Sequence, residues 1–286
     1  MKRDAVIGFP SIERLLRQLL GYVSNRALAG SALPRMLLFS LVVGSFGCSV
    51  VPSKGSWGGN WPQFTDIGSA AADAAKDPQT WVPLVGAALL SVDDFDEKLS
   101  ESIANFRLFG SHAEDASDRL RDIAVASYFF TALVAPSDNI ADKLSGIGIG
   151  VATLRVQRSA VGWLKGAVGR KRPLGGNKSF PSGHTSLAAT AATLTERNLA
   201  YIEMPEWARI AALVTSRGLA IGTGWARVEA EKHYVIDVLA GYAIGHFFAA
   251  FMHNAFIENR LPGAELSFQP VENGGVLRLT VPLGVR

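Results

Sequence analysis

The chain has 286 residues, 48% of them hydrophobic, with 28 Lys/Arg against 25 Asp/Glu. That is enough to bury a sizeable core in one large domain or two small ones. The basic balance is local: six of the Lys/Arg and two of the acids fall in residues 1–47, leaving 22 basic against 23 acidic residues beyond. No basic face remains outside residues 165–178, so charge gives no support for a nucleic-acid partner.

Residues 1–35 are basic and partly amphipathic, and the charge-free run Met36–Ser53 follows, carrying the only cysteine, Cys48. A basic region, an apolar core and then small residues make up the grammar of an export signal. A cysteine directly after Gly47 resembles the lipidation site of bacterial lipoproteins, although Ser45 stands where that pattern usually has leucine. The alternative is an uncleaved anchor helix with a buried cysteine. Either places the protein in the cell envelope, held to a membrane on its periplasmic side. A single cysteine rules out an intrachain disulfide framework. The expected organisation is a leader over 1–47, a linker over 48–66, a helical domain over 67–262 and a tail over 263–286.

The linker is rich in Gly, Ser and Pro. Helical patterning begins near Ile67, and a charge-free run spans Pro78–Val92. The acids Asp93, Asp94, Asp96 and Glu97 lack the glycine of a calcium loop and read as a solvated turn and helix start. Further helices are expected over Glu114–Ala135, Ala141–Lys165, Ser182–Arg197, Pro205–Ile221 and His233–Asn259. Gly146, Gly148 and Gly150 follow no strand, so close helix packing accounts for them better than a dinucleotide fingerprint. The fold class is all-α, a bundle of six or seven helices. Alternation of Leu277, Leu279 and Val281 after Asn273-Gly274-Gly275 suggests a terminal β-hairpin. Outside the leader only Val238–Ile257 has the length of a membrane span. It carries His246 and His253, and the domain is expected to stand outside the bilayer.

Three short groups carry the chemistry. Lys165 and Arg172 lie seven residues apart, returning to nearly the same helix face, before Pro173 diverts the chain. The intervening Gly169-Arg170-Lys171-Arg172 has the look of a solvated basic turn. Ser182, in Pro181-Ser182-Gly183-His184, is a natural N-cap, and the free amides behind it face an anion. His233 and Asp237 sit one turn apart, so the carboxylate can fix the imidazole tautomer and leave the other nitrogen free to attack. Glu229 or Glu231 with His233 would make half a metal site, without a second histidine at ligand spacing.

Lys165-(six residues)-Arg172-Pro173, then Pro181-Ser182-Gly183-His184, then Arg227-(five residues)-His233-(three residues)-Asp237 resembles the signature of the type 2 phosphatidic acid phosphatase (PAP2) superfamily. That superfamily includes bacterial class A acid phosphatases and vanadium haloperoxidases. The resemblance implies that Lys165, Arg172 and Arg227, with Ser182 and the Gly183 amide, bind phosphoryl oxygens. It implies that His184 protonates the leaving oxygen, that His233 attacks phosphorus, and that Asp237 orients His233. It calls for no metal and no cofactor. The implied substrates are phosphomonoesters, including lipid phosphates and isoprenyl pyrophosphates. A vanadium-dependent haloperoxidase and a non-catalytic phospholipid-binding envelope protein are the alternatives. Three departures stand out: Ala226 before Arg227, Val235-Ile236 between His233 and Asp237, and the charged segment Val228-Glu229-Ala230-Glu231-Lys232.

Overall fold

The computed structural model describes residues 50–51, 54–59, 62, 64–258, 265–271 and 274–280. All of these fall within the compact unit Cys48–Arg286. The leader, Cys48 and its expected lipidation lie outside the described residues.

Eight α-helices are present among the described residues: α1 Phe64–Lys76, α2 Pro78–Leu90, α3 Phe95–Phe106, α4 Ala113–Val134, α5 Ile140–Val168, α6 Gly183–Leu199, α7 Glu206–Glu229 and α8 Val235–His253, the last continued by a π-helical turn, Asn254–Glu258. The all-α expectation holds, with one more helix than the sequence pattern suggested. Helix α3 begins in the acidic cluster, where a solvated turn and helix start were expected.

The core is built around α6. Its Ala188, Ala189, Ala191 and Ala192 are buried with Leu194, Tyr128 and Tyr201. Short side chains on this helix let its neighbours approach closely, so α4, α7 and α8 all pack against it. Close approach is seen at the start of α6, where a Cβ on Gly241 of α8 would come within 2.5 Å of the Ser182 carbonyl oxygen and one on Gly245 within 2.2 Å of that of Ser186. Only glycine fits there, and the contact locks the first turns of α6 and α8 together. Gly146 and Gly150 on α5 lie against the Trp57 ring and the Tyr128 hydroxyl, as close packing requires, whereas Gly148 faces open space.

Helix α7 runs eight residues past the expected end at Ile221. Gly222 and Gly224 look like helix breakers, yet a Cβ on Gly224 would meet Val238 Cγ1 at 2.5 Å. The glycine is a packing concession between α7 and α8, and the uninterrupted helix carries Arg227 to the site. Helix α8 with its π-turn, Val235–Glu258, is long and apolar enough to cross a membrane. It packs on α6, α2, α5 and α1, and both of its histidines, His246 and His253, are buried.

The stretch expected as a linker is docked wherever it is described. Val50–Val51 (β1) pairs antiparallel with Met204–Pro205 (β2). Lys54 N donates to Ala200 O (2.9 Å), Trp57 N to Pro136 O (2.6 Å) and Gly59 N to Asp142 O (3.1 Å). Trp57 is fully buried in the core. A Gly/Ser/Pro-rich composition therefore encodes a strap whose backbone bonds to the bundle, not a free tether. The expected terminal hairpin is present as β3 Glu265–Val271 and β4 Gly274–Thr280, antiparallel with Glu265 opposite Thr280.

Candidate active site

Four chain segments meet at one end of α6. The first is the last turn of α5 with the loop behind it. Gly169, in the left-handed region at φ 62°, ends α5, and its N–H donates to Lys165 O. The loop turns back through Gly175 and Gly176, also at positive φ, and Ser179 N donates to Arg170 O (2.8 Å). Lys165 Nζ reaches across to Lys178 O (2.7 Å) and Ser179 O (3.3 Å). Its side chain lies beside Gly183, whose position would place a Cβ 3.7 Å from Lys165 Cε. Burial, with the neighbouring charges of Arg172 and Arg227, lowers the Lys165 ammonium to about 8 despite the opposing pull of Asp237.

The second segment is the start of α6. Ser182 is fully buried and caps the helix as expected, its Oγ lying 3.5 Å from Thr185 N. Its backbone N–H donates to Asp237 O (2.8 Å), tying this turn to α8. His184 follows in the first turn. Its Nε2 lies 2.8 Å from Asp118 Oδ1 of α4, a residue 66 positions upstream. Burial, then the charges of Arg227 and Arg121, bring the His184 imidazole down to about 4, with Asp118 acting in the opposite direction.

Arg227, from the last turn of α7, is buried, and its Nη1 donates to Ser117 Oγ of α4 (3.3 Å). Its Nε–H and that of Arg172 are buried with no hydrogen-bond partner among the described residues. A buried guanidinium N–H without an acceptor is costly, and two converging on one region are suited to an anion's oxygens.

The fourth segment holds His233 and Asp237. His233 is 2% exposed and Asp237 fully buried. His233 Nδ1 lies 3.7 Å from Asp237 Oδ2, too long for a hydrogen bond, and 3.4 Å from Ser179 Oγ. Nδ1 thus faces the Ser179–Asp237 pair, which leaves Nε2 as the free nitrogen. Burial, followed by the charges of Lys165 and Arg227, lowers the His233 pKa against the support of Asp237 and favours the neutral ring. Burial pushes the Asp237 carboxyl up. The nearby His233 imidazole, the hydrogen bonds from Ser179 Oγ and Tyr234 N, and the charge of Arg170 together outweigh it and hold the group below its ordinary value.

The structure therefore gathers all eight residues singled out from the sequence. It also adds several that sequence reasoning passed over. Arg170, read as part of a solvated turn, donates Nη1 to Asp237 Oδ1 (2.8 Å) and Nη2 to Asp96 Oδ2 (2.7 Å). Its guanidinium stacks over the Tyr234 ring at 4.2 Å. Ser179 Oγ donates to Asp237 Oδ2 (2.5 Å). Asp96, expected in solvent, is buried because it also accepts from Ile236 N (3.0 Å), while Ser100 Oγ accepts from Val235 N (3.0 Å). Helix α3 thus satisfies the first-turn amides of α8, the orphan donors that every helix start must place.

The unusual charges of the Val228–Lys232 segment also find partners. Glu229 accepts from Phe109 N (2.7 Å), Gly110 N (2.6 Å) and Trp225 Nε1 (3.1 Å), so it is committed to structure and does not complete a metal site with His233. Lys232 pairs with Glu114 at 3.0 Å. A separate 470 Å³ cavity, lined by Gly55, Pro136, Tyr201 and their neighbours, contains none of the motif residues.

No curated protein matches the sequence. Among solved structures, the fold is similar to the crystal structure of the first transmembrane PAP2-type phosphatidylglycerolphosphate phosphatase from Bacillus subtilis, at 20% identity and a TM-score of 0.44, over 66% of this chain and 94% of that one. Residues 152–261 match the model of the PAP2 superfamily. That segment contains Lys165, Arg172, Ser182, Gly183, His184, Arg227, His233 and Asp237, and over it the chain is similar to the PAP2 superfamily.

Proposed function

We propose that the protein is a phosphatase that hydrolyses phosphomonoesters through a phosphohistidine at His233, without a metal ion. One observation carries this reading most: three cationic side chains, two with buried N–H groups lacking acceptors, surround a buried histidine whose lowered pKa favours the nucleophilic form. Lys165, Arg172 and Arg227 would hold the phosphoryl oxygens and offset the charge that builds up in the transition state, with the amides at the start of α6 completing the cradle. His233 Nε2 forms a bond to phosphorus as the ester P–O bond breaks, and the leaving oxygen takes a proton from His184. Water then attacks phosphorus, the N–P bond breaks, and His184 accepts the water's proton. Asp237 steadies the imidazolium character that develops on His233, itself held by Arg170 and Ser179.

Cationic side chains supply here the charge neutralisation that other phosphatases obtain from metal ions. The test is phosphate release from p-nitrophenyl phosphate by purified protein. The reading predicts turnover that survives EDTA and is inhibited by vanadate, which adopts the five-coordinate geometry of phosphoryl transfer. Activity lost in EDTA and restored by Mg²⁺ or Zn²⁺ would refute it. Within this reading, lipid phosphates or isoprenyl pyrophosphates are the natural substrates of a domain held at an envelope membrane. The leader and Cys48 would supply that attachment, checked by mass spectrometry for a diacylated N-terminus at residue 48.

A further inference from the structure

We propose that Asp118, in the second turn of α4, is the positioning carboxylate of His184, the counterpart of Asp237 behind His233. This inference rests on the phosphatase reading. Asp118 lies outside the segment that matches the family, and nothing in its local sequence marks it.

The geometry is direct. Asp118 Oδ1 stands 2.8 Å from His184 Nε2 and accepts from Arg121 Nη1 at the same distance. Arg121 is further held by Asp122. The residue before Asp118, Ser117, accepts from Arg227. One turn of α4 therefore braces two members of the site. A carboxylate at the rim of an anion-binding cradle opposes substrate charge, so its presence needs an offsetting use. Its contact with the histidine gives one. With Nε2–H donated to Asp118, the neutral ring is fixed with its lone pair on Nδ1. The protonated ring then carries its transferable proton on Nδ1. That proton passes to the leaving oxygen as the P–O bond breaks, and Nδ1 takes one back from the attacking water.

Charge balance points the same way. The charged groups facing His184 are Asp118 and Arg121 from α4 and Arg227 from α7, and Asp118 alone favours the protonated acid. A phosphoryl dianion seated on the cations would offset Arg227, but Asp118 acts before substrate arrives and after product leaves. Asp118 is partly exposed, so its substitution leaves the fold intact.

The experiment compares the single-turnover rate of leaving-group release, the step before water attack, for Asp118→Asn, Asp118→Glu and wild type on p-nitrophenyl phosphate and an alkyl phosphate. A nitrophenolate departs as an anion, whereas an alkoxide needs the proton. Losing the hydrogen-bonded partner of a metal-ligating histidine typically costs about 10–100-fold, and by analogy a loss of that size in the rate of leaving-group release is expected for Asp118→Asn on the alkyl phosphate. On p-nitrophenyl phosphate the loss should be at most about threefold, since the acid contribution shrinks with a good leaving group. Without Asp118 the histidine loses its proton more readily, so the alkaline limb for the alkyl phosphate moves to lower pH. Asp118→Glu should recover part of both effects. Equal losses on the two substrates, or a raised KM with unchanged kcat, would overturn the proposal, because Asp118 would then act only through Arg227 and phosphate binding. Absence of wild-type turnover on either substrate would instead sink the phosphatase reading, and this inference with it.

Discussion

Arg170→Ala should destabilise the protein in a way that depends on pH. The Arg170 guanidinium bridges two carboxylates, Asp237 at 2.8 Å and Asp96 at 2.7 Å, whose side chains are 0% and 5% exposed. Removing one partner of a buried charge pair costs about 3–5 kcal/mol. Arg170 itself is 27% exposed, and Asp237 keeps Ser179 and Tyr234 N, so the lower end, about 3 kcal/mol, is expected at pH 7. For a domain of this size that lowers Tm by about 6–12 °C. In wild type the Asp237 carboxyl is held below its ordinary value, so its ionised form stabilises the fold above about pH 4, and that contribution fades as pH falls further. Without Arg170 the opposition to burial weakens and the carboxyl moves up. Protonation then relieves the unpaired charge, so the gap between variant and wild type should narrow as pH falls from 7 towards 4. Urea unfolding followed by circular dichroism at four pH values in that range measures the gap. A constant gap would refute the claim that Arg170 acts by compensating a buried carboxylate and would make its role one of packing.

Three further outcomes follow from the geometry. Lys165 titrates at about 8 and is charged below that value, so competitive inhibition by sulfate, which does not titrate in this range, should weaken as pH rises through 8; the Lys165→Arg variant should show no such weakening. In single-turnover release of the leaving group, the step before water attack, His184→Ala should lose about 10²–10⁴-fold on an alkyl phosphate and far less on p-nitrophenyl phosphate, whereas steady-state assays of His233→Ala should show both activities lost alike. Trp57→Ala, which empties a fully buried site in the docked strap, should cost about 3–5 kcal/mol in denaturant unfolding while leaving kcat at low temperature near wild type.

The sequence made the candidate site residues legible because they sit in three compact runs, each with its own local logic: a helix end, a helix start and a one-turn His–Asp pair. It concealed the groups that hold them, because those depend on contacts between distant segments. Arg170 stands two residues before Arg172 in what looks like a solvated turn, and only the fold reveals Asp96 and Asp237 around it. Asp96 sits among three other acids and was assigned to solvent on composition, yet the amide starting α8 needed an acceptor. His184 has no carboxylate nearby in sequence, and Asp118 supplies one from 66 residues upstream. What still separates the two rings is depth: His233 is buried and His184 is partly open. Helix α7 outruns the expected end at Ile221, and Gly224 within it is demanded by the packing of α8 and not by a turn. The Gly/Ser/Pro composition of residues 48–66 likewise hid a strap anchored by Trp57.

The most direct test of the account is to identify the residue that becomes phosphorylated. Rapid acid-free quenching of the enzyme with p-nitrophenyl phosphate, followed by peptide mass spectrometry, should find a phosphohistidine at His233, absent in His233→Ala and accumulating when water attack is slowed in His184→Ala. A phosphohistidine at His184, or turnover with no phosphoenzyme and undiminished activity in His233→Ala, would contradict it.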